Sequence, residues 1–193
     1  MKTEIYFNPH KVAYYEKSGW EAYYDRDWPR AFNLMVALNR EEFQMSLLTA
    51  VAAAMDIVRA SMAFAPVDND VPKATKHLRR YYEKARRTAN LQADPATLAR
   101  LEMDYWVVHR NLAIERIQQP NLENITPMVE SLDNLHAALF GISGEAARCS
   151  AELRALAAKA VDRITGRYSA DVENDWRQVE TYLQQAYQSI LSA

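Results

Sequence analysis

Apolar residues recur at helical spacing along nearly the whole chain, and Pro, Asp and Asn break that pattern into segments. Runs of β-branched residues are short and nowhere alternate with polar ones, so the sequence offers no strand. Eight helical segments are expected. The first runs from about His10 to Asp25, and the second opens at Asp27-Trp28-Pro29 and reaches Phe43. The third spans Ser46 to about Phe64 and the fourth Pro72 to Ala89. A fifth opens at Asp94-Pro95 and continues to Ile117; a sixth starts at Thr126-Pro127 and stops near Gly141. Ser143 is a natural N-cap for the seventh, Gly166 its C-cap, and the eighth begins near Asp171. An acidic side chain followed by Pro in the first turn satisfies the free N–H groups of a helix start without losing a hydrogen bond.

Most segments are amphipathic. The buried stripes are expected to hold Val12, Tyr15, Gly19 and Tyr23 in the first helix, and Phe32, Met35, Val36 and Phe43 in the second. Ala74, Leu78, Tyr81 and Ala85 face inward from the fourth. Ala146, Cys149, Leu153, Leu156, Ala160 and Ile164 do so from the seventh, and Trp176, Val179, Leu183, Ala186 and Ile190 from the eighth. The third helix is apolar on every side except at Asp56 and Arg59, which suits a core helix; it is short and interrupted for a membrane span. The expected architecture is therefore a single all-α domain over 1–193, a bundle of about eight helices with the third and fifth largely buried at its centre. No fixed-period repeat points to a solenoid.

Composition narrows the function classes. Over 193 residues, 49% are hydrophobic and 25% charged, with 4 Gly and 7 Pro, which excludes collagen-like and disordered chains. A net charge of -2 provides no global attraction for nucleic acid. The lone Cys149 excludes an internal disulfide or a multi-cysteine zinc site. The opening MKTEIYFNPHK lacks an apolar leader region, so a cytoplasmic protein without a transmembrane segment is expected. Phosphate-cradling glycine loops and the Gly-x-Ser-x-Gly elbow are missing.

Three groups of residues could carry chemistry. Trp106, His109 and Arg110 on the fifth helix and His136 on the sixth could line an interhelical cavity, with Trp20, Tyr24 and Trp28 nearby. Tyr and Trp bring apolar area and a hydrogen-bond donor together, which suits a ligand pocket or a contact surface. The leading expectation is a non-catalytic protein that binds a small ligand there, or a protein partner such as its own copy. An alternative uses Glu102, His109, Glu130, Asp133 and His136 as ligands for divalent iron, manganese or zinc in an enzyme, although the Glu-x-x-His pairs of carboxylate-bridged bundles are absent. A further alternative assigns anion or nucleic-acid binding to the fourth helix. There Lys73, His77, Arg80, Lys84 and Arg87 form a basic stripe, with Glu83 placed to pair with Arg87. Nucleic acid is the less favoured partner, for want of any recognition motif.

Overall fold

The computed structural model describes residues 6–193; the first five residues of the stretch read for a leader lie outside it. Eight helices account for the described fold, with no strand among the described residues. They are α1 (Pro9–Tyr24), α2 (Trp28–Glu42), α3 (Leu47–Phe64), α4 (Val71–Ala89), α5 (Pro95–Gln118), α6 (Thr126–Phe140), α7 (Glu145–Thr165) and α8 (Val172–Leu191). The all-α bundle expected from periodicity is thus the fold.

Side-chain caps set most of the helix starts. Asp27, Ser46, Asp70, Asp94 and Asp171 each accept a hydrogen bond from a backbone N–H two or three residues on, and Asn8 does the same for α1. α7 differs: its cap position is Gly144, at φ 64°, and no side chain caps it, so Ser143 lies one residue outside. Asn90 and Gly141 close α4 and α6 in the left-handed conformation that lets the last carbonyls be satisfied.

Each helix packs against the next in sequence, and α1 packs against α8, so the chain closes on itself as a circuit. Connections of a few residues turn each helix back beside its predecessor. A circuit has no central helix, which corrects the expectation for the third and fifth. α3 buries Ala50, Ala53, Ala54, Asp56, Ala60 and Phe64, while Leu48 and Met62 stand 83% and 70% exposed on its other side. α5 likewise turns Asp104, Asn111, Ile114 and Glu115 to solvent. Asp56 is held by Lys84 of α4 and, at 3.9 Å, by Arg59.

Two buried faces are rotated from the expected ones. α1 buries Val12, Ala13, Glu16, Ser18 and Ala22 and leaves Tyr23 exposed. α7 buries Ala147, Ser150, Ala151, Ala155 and Ala158, while Cys149 is exposed and Leu153 and Leu156 lie at the margin. In both helices small side chains occupy the contact, because they let backbones approach closely; the larger apolar groups cover its edges. Fully buried Leu78, Leu98, Leu132 and Leu183 supply the hydrocarbon core, each stabilising the fold by about 1.5–3 kcal/mol.

Candidate functional site

The centre of the circuit is polar. Arg154 projects from the small-residue face of α7 and pairs with Glu16 of α1 through both guanidinium nitrogens, one at 3.0 Å. Tyr187 of α8 donates to the same carboxylate at 2.7 Å, and the Trp20 ring lies 5.8 Å from the guanidinium carbon. Burial opposes the charge on Arg154, but Glu16, Tyr187 and Tyr105 outweigh it and hold the group firmly protonated. Its field also reaches Glu42 of α2, Tyr81 of α4, Glu102 of α5 and His136 of α6. Arg154 is thus bonded to α1 and α8, and its charge bears on titratable groups of α2, α4, α5 and α6.

Three carboxylates share this region with that single cation. Glu102 accepts hydrogen bonds from Trp106 Nε1 at 2.7 Å and Tyr82 Oη at 3.1 Å. Burial raises its pKa, with Arg154, Trp106 and Tyr82 acting against the rise. Glu42 is different: among the described residues no donor lies on its carboxyl. Burial, helped by Glu16 and Glu102 and opposed by Arg154, pushes it up to about 8. One turn earlier on α2, Asn39 is 1% exposed; its Oδ1 accepts from Tyr81 Oη at 3.0 Å, and its Nδ2 has no partner. Burial also lifts the Tyr81, Tyr82, Tyr105 and Tyr187 hydroxyls, so all four remain protonated donors. The region is not sealed: Arg154 retains 17% of its side-chain surface and Glu16 7%, and Glu42, Glu102, Trp20 and Trp106 are only part-buried.

Of the residues singled out in the sequence, Trp106, Glu102, Trp20 and His136 belong to this region. His136 is 4% exposed, bonded through Nδ1 to Ser150 Oγ at 2.9 Å, and pushed down to about 3 by burial and Arg154, so it is neutral. His109 faces a neighbouring cluster: its Nε2 lies 2.9 Å from Asp162 Oδ1, and its ring stacks on Tyr105 at 5.7 Å. Buried Arg116 holds the other oxygen of Asp162 and the Asn124 carbonyl. Tyr24, pushed up to about 12 by burial and by Asp162, borders that cluster. It keeps 45% of its surface open and joins Tyr23 and Trp28 in an edge-to-face aromatic group at the rim. Arg110 points elsewhere, onto the Phe64 ring and the Ala65 and Pro66 carbonyls.

The proposed metal ligands are not gathered. Glu102 is bonded to an indole and a phenol, His109 to Asp162 and His136 to Ser150, while Glu130 is exposed and Asp133 part-exposed. Among the described residues no three His, Cys, Asp or Glu side chains converge as a metal site. On α4, Lys73, Arg80 and Arg87 are exposed, whereas Lys84 is drawn to Asp56 and His77 is half-buried, which interrupts the basic stripe. Glu83 pairs with Arg79 at 3.2 Å rather than with Arg87.

Sequence reasoning missed Glu16, Asn39, Glu42 and Arg154. A signal existed for two of them: Arg154 sits between Ala151 and Ala158 at helical spacing, and Glu16 follows Val12 by one turn on a buried face. The described residues thus form a closed circuit of eight helices around a polar, aromatic-walled centre. Comparison with protein-family models, curated proteins and solved structures finds no match.

Proposed function

We propose that this is a non-catalytic binding protein that takes a small molecule into the centre of its helical circuit. The observation that carries the reading is the polar cluster of Arg154, Glu16 and Tyr187 beside Trp20, together with Glu102 and its Trp106 and Tyr82 donors. A bundle built for stability alone gains by filling such a centre with hydrocarbon, since buried charges are costly to desolvate. Convergence of polar groups with Trp20, Trp106 and four tyrosines fits a recognition site instead. Native mass spectrometry of protein purified without chelator tests this. A bound organic mass, released on denaturation, is the expected result. A bare chain that also binds nothing from a small-metabolite library would overturn it.

A second reading, association with another copy, is favoured by one feature. Leu48, Ala52, Met55 and Met62 form an exposed stripe on α3 broken only by Arg59. Helix faces of this kind pair with one another when their seams are self-complementary.

A further inference from the structure

The interior carries more acid than base, and that imbalance bears on what it binds. Glu16 is matched by Arg154, but among the described residues no second cation answers Glu42 and Glu102. Carboxylates in excess of cations in a part-buried, desolvated region are favoured by holding protons or by meeting a cation from outside. Among the described residues no three His, Cys, Asp or Glu side chains converge as a metal ion would need, so an organic cation is the better fit. Around the carboxylates stand the Trp20 and Trp106 rings and the tyrosines, whose faces attract ammonium groups as well as packing against hydrocarbon. Independently, Asn39 presents a buried amide nitrogen with no acceptor, bonded through its other end to Tyr81 and one turn from Glu42.

We propose that the centre of the circuit binds a small organic cation, an amine or quaternary ammonium that also carries a hydroxyl or carbonyl oxygen. Glu42 and Glu102 face the cationic end, the Trp and Tyr rings wall it, and Asn39 Nδ2 donates to the oxygen. Arg154 is already committed to Glu16, so among the described residues no free cation there answers a phosphate, and the ligand is the free amine and not a phosphate-bearing head group. The assignment rests on the interior being the binding site and adds the ligand's charge.

Proton linkage gives this class a signature. The groups bearing on Glu42 are Glu16 of α1, Tyr81 and Tyr82 of α4, Glu102 of α5, Arg154 of α7 and Tyr187 of α8. On α3, the other helix packed against α2, Asp56 is committed to Lys84 and Arg59. Because Glu42 holds its proton up to about pH 8, a cation that needs the carboxylate must displace that proton. Its affinity then rises with pH, by up to about tenfold per unit below that value.

Choline and its neutral isostere 3,3-dimethylbutan-1-ol, which share shape and hydroxyl, separate charge from fit in titration calorimetry between pH 6 and 9. Choline is expected to bind at least tenfold more tightly than the isostere, with affinity climbing to about pH 8 and then levelling. Glu42→Gln should weaken choline about tenfold and flatten its pH profile, while leaving the far-ultraviolet circular dichroism unchanged. Glu173→Gln, on the exposed first turn of α8, should alter neither. If Glu42→Gln unfolds, the pH profile of the native chain and the choline-to-isostere ratio decide alone. Equal or tighter binding of the isostere would overturn the cationic class while leaving an interior site for a neutral ligand. Binding of neither probe, together with a bare chain in native mass spectrometry, would overturn both.

Discussion

Arg154 and Glu16 illustrate how one buried pair can serve position more than stability. The guanidinium spans both carboxylate oxygens and Tyr187 caps the same group, so the remaining hydrogen-bonding capacity is largely used. Breaking the pair leaves one charge stranded, which costs about 3–5 kcal/mol; replacing both by apolar groups of similar size is often neutral or stabilising. Arg154→Met and Glu16→Met are therefore each expected to destabilise the fold by that amount in urea. The double variant should recover most of the loss. A double variant as unstable as the singles would mean that the pair is needed for packing itself. At this scale the sequence is only partly legible. Trp106 and His136 stand out in apolar helices, whereas the meaning of Glu16 depends on a partner 138 residues away in the chain. No local pattern encodes that distance. His109 was conspicuous for the same reason as His136, but its partner is Asp162, beside buried Arg116.

Helix boundaries are legible because their causes are local. A carboxylate or hydroxyl two or three residues ahead of free N–H groups marks Asp27, Ser46, Asp94 and Asp171 in sequence and in space. Which face is buried is less local, since it depends on how near the neighbouring helix comes. α7 meets its neighbours through alanines, and that close approach leaves no place inside for Cys149. α3 shows the opposite case. It is the one helix among the described residues long and apolar enough to cross a membrane by length and composition, yet it gives only one side to α2 and α4. The other side tests the self-association reading. Leu48→Lys and Met62→Lys are both at exposed positions and should change folding stability by no more than about 0.5 kcal/mol. Sedimentation velocity is expected to show the native chain as a dimer and the double variant as a monomer. A native chain that sediments as a monomer at high micromolar concentration would remove the dimer reading, whatever the variants do.

At the scale of the whole molecule, periodicity predicts eight helices, but not that α1 returns to α8 or that the resulting centre is polar. Closure places Glu42 and His136, from helices far apart in sequence, in the same field of Arg154. The two groups depart from their ordinary ionisation in opposite senses, and global stability should record both. His136 titrates near 3 in the folded chain against an ordinary 6.5. Below pH 6.5 the unfolded chain therefore takes up a proton that the folded one refuses, and stability falls on acidification through that window. Glu42 keeps its proton up to about 8 against an ordinary 4.5. Between those values the folded chain holds a proton that the unfolded one has lost, so stability falls as pH rises and levels off above 8. Each limb has a slope of up to about 1.4 kcal/mol per pH unit. The slopes oppose one another between pH 4.5 and 6.5, which sets the region of greatest stability there. Glu102, raised like Glu42, steepens the alkaline limb; Asp175, lowered despite its burial by bonds from Arg163 and Ser169, steepens the acid one. Urea unfolding measured from pH 3 to 9 should show this dome. Glu42→Gln should flatten the alkaline limb, raise stability above pH 8 and extend the acid limb up to about pH 6.5, where the opposing slope is gone. An alkaline limb unchanged by that substitution would mean that Glu42 is solvated in the folded chain, and that the centre of the circuit is open to water.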